Sequence, residues 1–210
     1  MIQAIVFDLD GVLIDSNYIQ YETFLKAVQH INKDIIYSYD EHERLFSSLT
    51  TRNKLKILIK QDLLNETDVE TIYKKKQELT KEAFELLNED VKLVSLFQKL
   101  VKDKYRLFCC SNNNKMIVNL ILNKLGIYDY FEFVLTNSDV KEHKPSPEIY
   151  NTVMNRTNLL PKEVLILEDS KIGLTAAYRS GAYVLEVKNV SDVNYNSIKN
   201  SVYHLEQKEL

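Results

Sequence analysis

Glycine and proline are scarce in this chain, and their placement governs what it can fold into. Four glycines (Gly11, Gly126, Gly173 and Gly181) and three prolines (Pro145, Pro147 and Pro161) are spread over 210 residues, with none between Val12 and Leu125. These two residue types punctuate regular structure, so the intervening stretch has room for several long helices. The periodicity agrees. Tyr21, Phe24, Leu25 and Val28 recur at helical spacing after Tyr18. Thr51–Lys60 reads as a second helix. Glu66–Asn88, rich in Glu, Lys, Gln and Leu, reads as a long third one with a cap at Asn65-Glu-Thr-Asp68. No strand is expected between Ser16 and Asp90.

Outside that stretch the pattern changes to short apolar runs separated by helices. The runs are Ala4–Phe7, Tyr105–Cys110, Phe131–Leu135, Val164–Leu167 and Ala182–Val187. Helical patterns lie between them at Val91–Lys102, Lys115–Leu125, Pro147–Arg156 and Ile172–Ser180. Gly126 and Gly181 each follow a helical pattern, where a left-handed residue ends a helix. Alternating strands and helices predict an α/β fold, a doubly wound parallel sheet of Rossmann-like type. The expected layout is discontinuous, with residues 1–15 and 91–210 forming the core and an α-helical insert at 16–90 interrupting it after the first strand.

Hydrophobic residues make up 45% and charged residues 27%, a soluble balance that argues against disorder. The net charge of -3 supplies no basic field for nucleic acid or an anionic membrane surface. Apolar runs fall far short of the ~18 residues of a membrane span. Asp8 and Asp10 interrupt the first run before a signal-peptide core could form. The two cysteines, Cys109 and Cys110, are adjacent and cannot frame a disulfide scaffold, so a reducing, cytoplasmic setting is expected. No obligate protein partner is indicated.

Ligands of open parallel sheets bind beyond the carboxyl ends of the strands. Four polar groups fall there, and each alone has a plain structural alternative. Asp8 and Asp10 follow the first strand. They are turn-forming carboxylates, or they are a nucleophile and metal ligands whose mutual repulsion calls for a cation. Ser111 and Asn112 follow the second strand, as a helix N-cap or as an anion-binding hydroxyl with exposed N–H groups. Lys144, in His143-Lys-Pro-Ser-Pro147, is a solvated surface charge or an ammonium aimed by a stiff loop. Glu168 and Asp169 end the Val164–Leu167 run, as helix N-terminal charges or as metal ligands. Together they offer carboxylates, a hydroxyl and an ammonium without histidine or cysteine, a donor set that selects Mg²⁺ over zinc. A carboxylate nucleophile beside Mg²⁺ suits attack on a phosphoryl group.

The strings Phe7-Asp-Leu-Asp-Gly-Val-Leu-Ile-Asp-Ser16, Ser111-Asn112, Lys144-Pro-Ser-Pro147 and Glu168-Asp-Ser-Lys-Ile-Gly173 resemble, in order, the four motifs of the haloacid dehalogenase superfamily. The resemblance is to the branch with a helical cap inserted after the first motif, which includes phosphoglycolate phosphatases, sugar-phosphate phosphatases and β-phosphoglucomutase. It implies a Mg²⁺-dependent phosphatase acting on a small phosphorylated metabolite. Asp8 would become an aspartyl-phosphate, and Asp10 would act as acid and then base. Ser111, the Asn112 backbone and Lys144 would hold the phosphoryl oxygens. Asp8, the Asp10 carbonyl and Asp169 would hold the metal, with Glu168 assisting directly or through water. In the cap, Ser16 lies near the hinge, and Gln20 and Arg52 stand at positions that would select the substrate; a surface arginine is the other reading of Arg52. Dehalogenation is not implied, since true dehalogenases need no Mg²⁺ and lack the second acid that Asp10 provides. The alternatives are a phosphosugar mutase and a non-catalytic phosphate-ligand binding module. Mutase relatives carry histidine where this chain has Gln20, and an amide cannot serve as a base at neutral pH.

Overall fold

The computed structural model describes residues 1–46 and 49–208, with no side-chain description at 208. Five parallel strands form one sheet: β1 (Ala4–Phe7), β2 (Arg106–Cys110), β3 (Phe133–Leu135), β4 (Val164–Glu168) and β5 (Tyr183–Glu186). Their spatial order is β3-β2-β1-β4-β5. Phe7 pairs with Cys109 on one side and Leu167 on the other, so β1, β2 and β4 end nearly level. The chain leaves β1 toward β2 and later leaves β4 toward β5, in opposite directions. The crevice between the ends of β1 and β4 is therefore the topological switch point.

Burial explains the strands. Every residue of β1 and β4 is buried, as expected for central parallel strands covered on both faces. The edge strands β3 and β5 are mostly half-buried. Ala4 and Val6 join Phe108, Cys110, Val164 and Ile166 in a core completed by Ile149, Tyr150, Val153 and Met154 of α7 (Glu148–Thr157) and by Ala176 and Ala177 of α8 (Lys171–Arg179). The alternate residue Phe7 faces the other way and meets Phe97 at 5.1 Å between ring centroids. Phe97 belongs to α5 (Val91–Lys102), whose buried Leu93, Leu96, Phe97 and Leu100 form one helical stripe. Asp90 caps that helix by accepting from the Lys92 and Leu93 amides. Helix α6 (Lys115–Lys124) connects β2 to β3, and α9 (Tyr195–Lys208) ends the described chain. Gly126 and Gly181 have φ of +75° and +79° just past α6 and α8.

The chain divides into two compact units, Met1–Asp15 with Asn88–Leu210, and Ser16–Leu87. The second unit is helical: α1 (Asn17–Gln29), α2 (Tyr39–Phe46), α3 (Thr51–Lys60) and α4 (Val69–Glu85). Its own core contains Phe24, Ala27, Val28, Phe46, Leu55, Leu58 and Ile72. Thr80 of α4 donates to Thr23 of α1 at 3.2 Å inside it.

Several boundaries differ from the sequence expectation. The expected strand Phe131–Leu135 begins only at Phe133, because Tyr128–Tyr130 forms a 3₁₀ turn that ends at Phe131. The long helix opens with a 3₁₀ turn at Glu66–Asp68 and ends at Glu85. Helices α2 and α9 were not expected. Among the described residues, no helix is long and apolar enough to cross a membrane.

Phe97 is fully buried between Phe7 and Phe131, each at 5.1 Å. Phe97→Ala should cost about 3–5 kcal/mol of stability through lost burial and a residual cavity. Urea unfolding should show a lower midpoint at an unchanged m-value.

Candidate active site

Strand β1 passes to Asp8, whose amide donates to the Leu167 carbonyl at 3.1 Å. Asp8 thus leaves the sheet still tied to β4. A tight turn follows, in which the Leu13 and Ile14 amides both donate to Leu9 O and the Gly11 amide donates to Ile14 O at 2.8 Å. Asp10 lies in this turn, bridged to Ile14. Gly11 adopts φ +85°, a left-handed conformation that side chains resist. A Cβ at Gly11 would also lie 2.0 Å from Asp169 Oδ2.

Beyond β2, the Ser111 amide donates to Leu135 O at 3.0 Å, and its Oγ accepts from the Asn113 amide at 3.0 Å. That bond leaves the hydroxyl hydrogen to be donated elsewhere. The N-cap of α6 is Asn114, which accepts from the Ile117 amide, so the N-cap reading of Ser111 and Asn112 does not hold. Asn112 instead grips the backbone of Lys144. Its Oδ1 accepts from Lys144 N at 3.1 Å, and its Nδ2 donates to Lys144 O at 3.3 Å. Glu148 stiffens the same loop by accepting from the Lys141 and Glu142 amides.

Lys144 is 7% exposed, which removes its reading as a surface charge. Its ammonium has three N–H donors and uses them on Asp8 Oδ1 at 2.7 Å, Glu168 Oε1 at 2.6 Å and the Cys110 carbonyl at 2.9 Å. Glu168, the last residue of β4, is completely buried. Its Oε1 also accepts from the Tyr150 hydroxyl at 2.8 Å, and its Oε2 accepts from the Asp169 amide at 3.1 Å. Gly173 makes room for it, since a Cβ there would come within 1.9 Å of Glu168 Oε1. Ser170 caps α8 by accepting from the Gly173 amide. The Glu168 carboxylate also lies against the start of α8, accepting from Ser170 N and Oγ at 3.4 Å, so its N-terminal charge role and its place in the acidic cluster coexist.

Three carboxylates, those of Asp8, Glu168 and Asp169, have oxygens within 4.8 Å of one another. Burial and then Glu168 push the Asp8 carboxyl well above its usual range, against the pull of Lys144. Burial and Glu168 raise Asp169 to about 7. Burial alone would lower Lys144, but Asp8 and Glu168 outweigh it and hold the ammonium above its usual range. Asp169 Oδ1 is buried and, among the described residues, has no hydrogen-bond partner. An orphaned carboxylate oxygen in an all-oxygen, like-charged cluster fits a hard divalent cation. The cluster found among the described residues consists of Asp8, Glu168 and Asp169, without the Asp10 carboxylate.

The other expected residues lie in the helical unit. Ser16 is buried just ahead of α1. Gln20 Oε1 accepts from Lys76 Nζ at 2.5 Å. Arg52 is half exposed, donates to Glu70 at 2.7 Å and stands 4.7 Å from the Tyr73 ring centre. Tyr150, Ser170 and the Cys110 carbonyl were missed. Tyr150 follows Lys144 by six residues on a buried helix face, where an aromatic reads simply as core.

The acidic cluster lies at the switch point of a doubly wound sheet, and together they define an α/β enzyme working at the carboxyl edge of its strands. Within that class the chain belongs to the haloacid dehalogenase-like hydrolases, whose family model matches residues 5–187. The phosphorylated carbohydrates phosphatase of Thermotoga maritima is 30% identical over 180 residues, covering 85% of this chain and 82% of that protein. The β-phosphoglucomutase of Bacillus subtilis is 24% identical over 199 residues, covering 88% and 83%. The crystal structure of β-phosphoglucomutase from Clostridium difficile matches with a TM-score of 0.83 at 22% identity, covering 97% and 98% of the two chains. At that identity the likeness shows a shared fold.

A carboxyl raised on folding contributes stability that is present below its unfolded pKa and is lost as pH rises through the folded value. For Asp169 that window runs from about 4 to about 7. In the absence of divalent cations, Asp169→Asn should therefore raise the thermal midpoint more at about pH 7.5 than at about pH 5. Thermal melts of both proteins at the two pH values check this.

Proposed function

We propose that the chain is a Mg²⁺-dependent phosphatase that hydrolyses a small phosphomonoester through an aspartyl-phosphate on Asp8. The observation that carries this reading is the Lys144 clamp on Asp8, set beside Asp169 and its orphaned oxygen. The Asp8 carboxylate attacks phosphorus in line, and the bond to the leaving oxygen breaks. Asp10 gives its proton to that oxygen, then takes one from the water that cleaves the aspartyl-phosphate, releasing orthophosphate and restoring Asp8. Ser111 and the Asn112 backbone hold the transferring oxygens, and Lys144, its three donors engaged within the site, attracts them by its charge. Asp8, Asp169 and the Asp10 carbonyl would hold Mg²⁺, with Glu168 assisting, and the ion would neutralise charge on the nucleophile and the phosphoryl oxygens.

Ser16–Leu87 acts as the cap that selects the substrate, with Ser16, Gln20 and Arg52 as its selecting residues. The name of the T. maritima relative supports phosphorylated carbohydrates as the first substrates to try. Gln20 speaks against the mutase alternative, because its amide cannot shuttle a proton. A non-catalytic binder has no use for both Asp8 and Asp10. Two free, buried cysteines suit a cytoplasmic setting.

Phosphate release should appear on one or more members of a phosphorylated-metabolite panel and disappear when Mg²⁺ is chelated. Asp8→Asn should abolish turnover and retain the wild-type circular dichroism, because an amide is a poor nucleophile. Near-normal release by a folded Asp8→Asn protein would remove the covalent mechanism.

A further inference from the structure

We propose that Tyr150 is a positioning residue of the phosphoryl-transfer site, acting through Glu168 to keep the Lys144 ammonium on Asp8. This rests on the phosphatase reading above and adds to it a residue outside the four motifs. Tyr150 is 1% exposed among Ile149, Val153 and Met154, where a phenylalanine would pack equally well. The hydroxyl therefore needs a reason beyond packing. Its partner is Glu168 Oε1, the same oxygen that accepts from Lys144 Nζ.

A carboxylate oxygen has two strong acceptor sites. Tyr150 occupies one at 2.8 Å and Lys144 the other at 2.6 Å. The hydroxyl thereby limits how strongly Glu168 competes with Asp8 for the ammonium. Without it, Oε1 would be left with Lys144 as its single donor and would draw Nζ away from Asp8 Oδ1. The ring adds a second restraint, with Nζ 4.9 Å from its centre, close enough for a cation–π contact. Lys144 is thus fixed from three directions, by Asn112 at its backbone, by the Tyr150 ring at its ammonium, and by Glu168 at its charge. Gly173 and Ser170 close the remaining side of Glu168.

Tyr150→Phe keeps the ring and its packing and removes the hydroxyl alone. Turnover of a phosphomonoester that the wild type hydrolyses should fall about 10- to 100-fold, the usual cost of losing a group that orients a site residue. KM should change by less than about twofold, since Tyr150 does not touch the substrate. A second readout needs no catalysis. In a ¹H–¹⁵N spectrum of lysine ammonium groups, the Lys144 signal is identified by its loss in Lys144→Met. It should shift and exchange faster with water in Tyr150→Phe, and shift likewise in Glu168→Gln, which keeps the side-chain shape. Tyr178→Phe, on an exposed tyrosine of α8, should leave turnover and signal unchanged. Wild-type turnover in Tyr150→Phe, or a Lys144 signal unmoved in that variant and in Glu168→Gln, overturns the proposal. A wild type that hydrolyses no phosphoester while its Lys144 signal responds to Tyr150→Phe sinks the phosphatase reading and upholds the Tyr150–Lys144 link.

Discussion

The contact between the Lys144 ammonium and the buried carboxylates of Asp8 and Glu168 is the interaction on which the rest of the site depends. Placing two acids at neighbouring strand ends, with Asp169 beside them, is unfavourable in a low-dielectric crevice. One ammonium with all three donors spent makes the arrangement tolerable. It does not make the site a source of stability, because desolvating buried ions costs about as much as their attraction returns. The cluster is better understood as a concentration of like charge that a hard divalent cation would relieve.

That requirement reaches outward into the fold. Lys144 can be buried only if its loop is held, which Asn112 does from the end of β2 and Glu148 from the start of α7. Glu168 can be buried only if the next helix carries no side chain against it, so Gly173 opens α8. Gly11 meets the same demand at Asp169, while letting the chain reverse after β1. The sheet supplies what these local devices cannot. Level pairing of Phe7 with Leu167 and Cys109 brings the ends of three strands together, although they are separated by long stretches of sequence.

Much of this was legible in the sequence because central parallel strands are almost continuously apolar and their polar residues begin abruptly at the ends. Val164–Leu167 followed by Glu168 and Asp169 is such a break. Helix α2 was missed because it is short and charged, and its buried side comes down to His42 and Phe46. Helix α9 was missed because its anchors, Ile198 and Val202, stand among Asn and Ser residues that favour helix weakly. Phe131 reads as strand by type, and the preceding 3₁₀ turn claims it. At the site, the motif residues could be located by chain position. The sharing of Glu168 Oε1 between Lys144 and Tyr150 could not, because it depends on how α7 lies against β4. The burial of Lys144 was equally hidden, since a lysine between polar neighbours and prolines reads as a surface loop.

The covalent mechanism stands or falls on Asp8 as the group that receives the phosphoryl group. In Asp10→Asn, Asp8 should still take the phosphoryl group from an activated phosphoester such as p-nitrophenyl phosphate, whose phenolate leaves without an acid, but the variant should lack the base that activates water. Acid quenching during turnover, followed by peptide mass mapping, should then show one added phosphoryl group on the peptide that contains Asp8. Phosphate on a different residue, or release of phosphate with Asp8 unmodified at every quench time, would contradict it.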